Sequence, residues 1–132
     1  RSIRRRVVKL LNSCFNLNIP LNKPITFKTM ATHSTKLLSP EGTYGGAFVG
    51  WDNTARGGLA STLILPPTKA EFADYLKAKI DITKNIYKTD YIFINAWNEW
   101  AEGGYLEPDE RSGYKNLEAI KTALEKNGEF PW

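Results

Sequence analysis

Two short uninterrupted apolar runs stand on either side of one capped helix, and that order leaves few folds open. The runs are Ala47-Phe48-Val49-Gly50-Trp51 and Tyr91-Ile92-Phe93-Ile94-Asn95-Ala96-Trp97. Continuous apolar runs of this length predict strands buried on both faces. Between them, Thr68-Lys69-Ala70-Glu71 spells a capping box, in which the threonine hydroxyl and the glutamate carboxylate satisfy orphan N–H groups. The helix behind it places Phe72, Tyr75, Leu76, Ile80 and Ile86 on one side. Two buried strands joined through a helix pair in parallel, with a right-handed connection and helices packed outside. A second amphipathic helix follows, with Tyr114, Leu117, Ile120 and Leu124 on its apolar side and a stop near Asn127-Gly128. The predicted class is α/β.

In parallel sheets the chemistry gathers at the carboxyl ends of the strands. At those ends stand Trp51-Asp52-Asn53, with Arg56 close behind, and Trp97-Asn98-Glu99-Trp100-Ala101-Glu102. Five acids fall from Glu99 to Glu110. Asp109 and Glu110 read as a solvated acidic stretch. Glu99 and Glu102 read differently, because they follow a buried strand and are flanked by Trp97 and Trp100, large rings that a solvated loop would waste. Carboxylates beside aromatic faces suit sugars, whose C–H faces stack on tryptophan and whose hydroxyls bond to Asp, Asn and Glu. Glycoside cleavage needs one carboxyl to protonate the departing oxygen and a second on the anomeric side. In an extended chain, positions three apart span about 10 Å. A turn at Trp100-Ala101 is therefore required to bring Glu99 and Glu102 together. Trp51, Asp52, Asn53 and Arg56 are expected to line the same mouth, and Tyr105 and Glu107 to contribute from the loop beyond. Leu106 and Pro108 read as packing.

Other classes fall away on composition. The chain is 42% hydrophobic and 24% charged, which is globular and not disordered. Its one cysteine, Cys14, excludes a disulfide framework and a cysteine zinc cluster, and is expected to be a buried thiol. A single histidine, His33, excludes a multi-histidine metal site and reads as a surface or packing residue. The acidic stretch lacks the alternating ligands and central glycine of a calcium loop, so no metal is expected. Gly42, Gly45 and Gly46 lie in a predicted loop over residues 40–46 and precede a strand instead of following one. They do not form a phosphate-cradling loop, and no cofactor is expected. No apolar run approaches the roughly 20 residues that span a bilayer.

The net charge of +4 sits at the start of the chain, on Arg1, Arg4, Arg5, Arg6 and Lys9. Ile3, Val7, Leu10, Leu11 and Cys14 recur there at helical spacing, so residues 2–12 read as an amphipathic helix with one solvated basic face. No recognition motif accompanies the charge, and nucleic acid is not expected as a partner. Residues 16–24 read as a connection. Residues 25–38 read as a short extended piece followed by a helical turn, and residues 52–67 as a long loop.

Several motifs resemble one family. Phe48-Val49-Gly50-Trp51-Asp52-Asn53-Thr54 with Arg56 resembles the WbsX-like proteins of bacterial polysaccharide biosynthesis, often described as glycoside-hydrolase-family-99-like. So does Phe93-Ile94-Asn95-Ala96-Trp97-Asn98-Glu99-Trp100-Ala101-Glu102-Gly103, followed by Tyr105-Leu106-Glu107-Pro108-Asp109 and Gly113-Tyr114. The resemblance covers roughly residues 44–125. It implies the C-terminal part of a (β/α)8 barrel, with residues 44–127 as its last two strand–helix units and residues 1–43 as a lead-in. A complete barrel takes about 250 residues. This single partial domain is therefore expected to be too short to close, leaving an open parallel sheet with an exposed apolar face. The partner it lacks is the set of earlier barrel strands.

By the same resemblance Glu99 acts on the substrate's 2-hydroxyl and Glu102 is the general acid/base. Trp51, Asp52, Asn53, Arg56, Trp97, Asn98, Trp100, Tyr105 and Glu107 would contact a carbohydrate, of mannose type by the analogy. One departure stands out. The hydrolases usually carry histidine between the tryptophan and the second glutamate, where this chain has Ala101, and that favours the WbsX-like branch. Transfer and hydrolysis both stay open. The implied setting is the bacterial cytoplasm and the synthesis of cell-surface polysaccharide. The competing readings are a sugar-binding module without catalysis and an inactive fragment.

Overall fold

The computed structural model describes residues 2–130; Arg1, counted in the basic stretch above, lies outside them. The chain folds as α1 (Ser2–Phe15), α2 (Phe27–Lys36), β1 (Gly45–Phe48), β2 (Trp51–Asp52), α3 (Thr54–Gly57), β3 (Leu63–Ile64), α4 (Lys69–Ile82), β4 (Ile92–Asn95), β5 (Asn98–Glu99), β6 (Gly104–Tyr105) and α5 (Lys115–Lys126). As expected, β1 and β4 pair in parallel, with Gly45 opposite Ile92 and Phe48 opposite Asn95, joined through α4. The other strand pairs are antiparallel, β2 with β3 and β5 with β6, and Ile25 adds an isolated parallel bridge to Ile64. The fold is mixed α/β, and no closed barrel forms among the described residues.

The core lies between the β1–β4 pair and the helices. It is built from Phe27, Ala47, Val49, Phe72, Tyr75, Leu76 and Ile80, with Ala119 and Ala123 letting α5 approach α4 closely. Phe72 has no exposed surface and meets Phe27 edge-on, ring centroids 6.2 Å apart. Lys79 is buried among these groups. Its amine donates to the Ser34 carbonyl at 3.1 Å, tying α4 to the end of α2, and burial pushes its pKa down.

The capping box of α4 forms as the spacing required. Thr68 Oγ1 accepts from the Glu71 N–H at 3.2 Å, and Glu71 Oε2 accepts from the Thr68 N–H at 2.9 Å. These bonds hold the Glu71 carboxyl below its ordinary value of 4.5. A depressed folded-state pKa means the unfolded chain binds the proton more readily. The contribution is therefore full above pH 4.5 and is lost as the pH falls through the folded value. Thr68→Ala is expected to cost about 1 kcal/mol at neutral pH. Denaturant midpoints measured from pH 7 down to pH 3 should also show a shallower acid dependence in that variant than in the parent. Parallel profiles would contradict this account.

Several sequence expectations are corrected. Gly45 and Gly46 belong to β1 and not to a loop. A Cβ on Gly45 would stand 2.2 Å from Thr83 Oγ1, in the π-helical turn Thr83–Tyr87 that extends α4, so the strand needs glycine where that helix crosses it. The run Ala47–Trp51 is not one strand. The chain leaves the parallel ladder after Phe48, and Trp51–Asp52 pairs sideways with Leu63–Ile64, inside what reads in sequence as a long loop. The second run is not buried on both faces: in the first, Ala47, Val49 and Gly50 are buried and Phe48 and Trp51 half-buried, but along β4 Ile92 and Ile94 are half-buried while Phe93 is 65% exposed. Phe93 packs edge-on with Tyr44, and Tyr44 with Tyr91, as an uncovered aromatic ridge.

Ile86 and Tyr114 are exposed, because α4 gives way to the π-helical turn before Ile86 and Tyr114 precedes the first turn of α5. Helix α1 forms, but it turns only Val8 inward; Ile3, Val7, Leu10 and Phe15 are exposed and Cys14 is not buried. Helix α2, read from sequence only as a turn, runs from Phe27 to Lys36 behind an N-cap at Thr26.

Candidate functional site

Beyond β4 the chain folds back on itself at once. The Ala96 N–H donates to the Gly104 carbonyl at 2.7 Å, and the Leu106 and Glu107 N–H groups both reach the Trp97 carbonyl at 3.0 Å. Asn98 then pairs with Tyr105 and Glu99 with Gly104. A 3-10 turn, Trp100–Glu102, closes the hairpin, so the chain bends where the two-glutamate reading required it. Gly103 ends that turn in the left-handed region at φ 62°, where an L side chain is strained. The hairpin lies directly on the segment after β1: a Cβ on Gly104 would meet the Gly50 carbonyl at 3.4 Å, and one on Gly103 would touch Asp52 Cβ at 3.9 Å. Backbone-to-backbone contact at these glycines sets the two strand-end motifs against each other.

An ion pair crosses the join. Arg56 Nη2 lies 3.1 Å from Glu102 Oε1, with the Glu102 side chain 13% exposed and that of Arg56 65%. Arg56 stands in the short helix α3, whose entry is fixed by Asp52: its Oδ1 accepts the Thr54 N–H at 2.9 Å. Bonds from the Thr54 hydroxyl and N–H hold the Asp52 carboxyl below the usual range, so it stays ionised. Asn53 braces the same loop, its Oδ1 accepting the Thr62 N–H at 3.0 Å and its carbonyl the Gly57 N–H at 2.8 Å. The sequence expectation set all four residues at one mouth; Trp51 and Asp52 are held in the β2–β3 pair, and Asn53 and Arg56 follow in the turn into α3.

On the other side of the hairpin stands an aromatic platform. Trp100 and Tyr105 stack with centroids 3.8 Å apart and planes 18° from parallel. The Trp100 Nε1–H donates to Glu107 Oε2 at 2.7 Å, and the Tyr105 hydroxyl to Asp109 Oδ2 at 2.9 Å. Glu107 and Asp109 thus orient the rings. Burial and the neighbouring Asp109 carboxylate push the Tyr105 phenol up, whereas the Ser112 N–H holds Asp109 down. Asp109 is therefore more than part of a solvated stretch. Glu110 is exposed, as read, and Leu106 is buried. Trp97 and Trp100 are each about half exposed, at 52% and 49%. Asn98 is exposed as well, and Glu99 is half-buried where it pairs with Gly104. Trp100, Tyr105, Arg111 and Tyr114 line an open groove of about 770 Å³. Among the described residues, no cluster of three or more His, Cys, Asp or Glu side chains is placed to hold a metal ion. Nor, among them, is any helix long and apolar enough to cross a membrane.

The family model described as glycosyltransferase WbsX matches residues 3–120, and the chain belongs to that family. Its relatives include the uncharacterized protein WxcX of Xanthomonas campestris pv. campestris, in strain B100 and in a second strain, each 39% identical over 83 residues. That match covers 61% of this chain and 12% of each relative, so the chain spans a small part of the curated proteins it matches. No solved structure matches it significantly.

Proposed function

We propose that residues 44–127 form the last two strand–helix units of a (β/α)8 barrel, with residues 1–43 leading into them. In this reading the site handles glycosidic bonds in cell-surface polysaccharide synthesis in the bacterial cytoplasm. Glu102 is the general acid/base and Glu99 acts at the substrate's 2-hydroxyl. The observation that carries this reading is the Arg56–Glu102 ion pair, because it joins the two strand-end motifs into one site. The turn at Trp100–Glu102 supports the pairing of the glutamates: it reverses the chain directly after Glu99, so both stand on one hairpin instead of along an extended strand. The uncovered Phe93 face supports the barrel, since an inner barrel wall expects strands opposite it. Trp51, Asp52, Asn53, Arg56, Trp97, Asn98, Trp100, Tyr105 and Glu107 form the carbohydrate-binding wall, and a mannose-type glycan is the substrate class the analogy favours.

The braced Trp100–Tyr105 platform favours a second reading, a module that binds sugar without catalysis. One experiment separates the two. This chain replaces the matching segment of the Xanthomonas protein, and the chimera is incubated with labelled mannose oligosaccharides and analysed by mass spectrometry. Hydrolysis or transfer products that vanish on Glu99→Gln and Glu102→Gln support the enzyme. Sugar binding that survives both changes, with no product from the parent chimera, overturns it in favour of the module.

A further inference from the structure

Away from the glutamates, a cleft of about 570 Å³ opens between α1, the connection over residues 21–26 and the first turn of α2. Its polar lining is one-sided: Arg4, Arg5 and Lys23 supply three cations, and Thr26, Thr29 and Thr62 the hydroxyls, with no acid among them. The cations are also free of acids elsewhere, since no ion pair among the described residues includes any of the three. Two of them are positioned in advance. Arg4 donates one terminal nitrogen to the Leu21 carbonyl and the other to the Pro20 carbonyl at 3.2 Å. The Nε of Arg5 is held by Asn22 Oδ1 at 3.2 Å, which leaves its two terminal nitrogens for a bidentate partner. The Asn22 amide is in turn fixed on the Ala60 and Ser61 carbonyls at 2.7 and 2.9 Å. The remaining lining, along residues 21–25, is largely apolar.

Three like charges around one cavity repel one another, and an anion of matching charge relieves that repulsion. Because the cleft has room for more than a lone ion and carries an apolar wall beside its cations, we propose that it binds the diphosphate of a diphosphate ester. Thr62 lines the cleft and donates its N–H to Asn53 in the loop that carries Arg56. The cleft and the loop that carries Arg56 therefore meet at Thr62. A nucleoside diphosphate and a polyprenyl diphosphate share this chemistry. The glycosidic-bond reading above guides only the choice of esters; the binding test needs no turnover, so the two proposals fail separately.

The 132-residue chain is titrated calorimetrically at low salt with inorganic pyrophosphate, UDP-glucose and geranyl diphosphate. Pyrophosphate and one ester are expected to bind, and the tighter ester names the source. Arg5→Gln with Lys23→Gln should weaken binding at least tenfold with unchanged circular dichroism. Lys36→Gln with Lys121→Gln, an equal change of charge outside the cleft, should weaken it less than twofold. On adding pyrophosphate, the amide resonances of Thr29 and Thr62 should shift most. The proposal is overturned if pyrophosphate does not bind at millimolar concentration, or if the two charge-matched pairs weaken binding equally. Binding of pyrophosphate with both esters excluded overturns it as well.

Discussion

Phe72→Ala is expected to lower the unfolding free energy by about 3–5 kcal/mol, whereas Phe93→Ala moves it by less than about 1 kcal/mol. Both residues are phenylalanine, and each meets another ring edge-on: Phe72 that of Phe27, Phe93 that of Tyr44. What separates them is water. Phe72 is fully buried at the junction of α4, the β1–β4 pair and α2, and its removal leaves a cavity that close-packed neighbours fill only in part. Phe93 is already 65% exposed, so truncation returns little apolar surface to solvent. A domain of this length is stable by roughly 0.05–0.15 kcal/mol per residue, and the Phe72 loss is a large share of that. Urea denaturation followed by tryptophan fluorescence gives both numbers. Equal midpoints for the two variants would mean that the core does not lie on the helix side of the sheet.

That contrast also marks where sequence reading succeeded and where it stopped. Local chemistry was legible: the Thr68–Glu71 box is written in four consecutive residues, and the two-glutamate reading required the turn that forms at Trp100. The parallel pairing of β1 with β4 was legible too, because an intervening amphipathic helix imposes it. Burial was harder, since a side chain's exposure depends on what covers it. Periodicity put Ile3, Val7, Leu10 and Cys14 on one stripe of α1, yet nothing in the periodicity says whether a neighbour packs there, and in this chain that stripe faces solvent. The break after Phe48 escaped notice for another reason. An apolar run reads as one strand until Gly50 is seen pressed against the Gly103 carbonyl, a contact between distant segments. In the site, both motifs were readable from residue type alone. The partner choice of Arg56 was not: a turn partner such as Asp52 is close in sequence, but Thr54 occupies that carboxylate and Arg56 crosses to Glu102.

The largest effect on activity is expected at the two glutamates, and leaving-group chemistry tells their roles apart. In the chimera described above, Glu102→Gln and Glu99→Gln should each lower turnover of a natural glycan by about 10²–10⁴-fold, the usual worth of positioned acid–base groups. Glutamine keeps the shape and hydrogen-bonding capacity of the side chain while removing its ionisation. Stability should hardly move: the Arg56–Glu102 pair reaches solvent through the arginine, and such pairs contribute about 0–1 kcal/mol. The two variants should then separate on aryl glycosides. A nitrophenolate departs without needing a proton, so an enzyme that has lost only its acid recovers most of its rate on that substrate. Glu102→Gln should recover in this way. Glu99→Gln should not, because the group acting at the 2-hydroxyl is needed whatever leaves. Measuring kcat/KM for the parent and both variants on a glycan and on its nitrophenyl glycoside gives the answer. Recovery by Glu99→Gln in place of Glu102→Gln would reverse the assignment, and equal losses on both substrates would remove the acid role from Glu102.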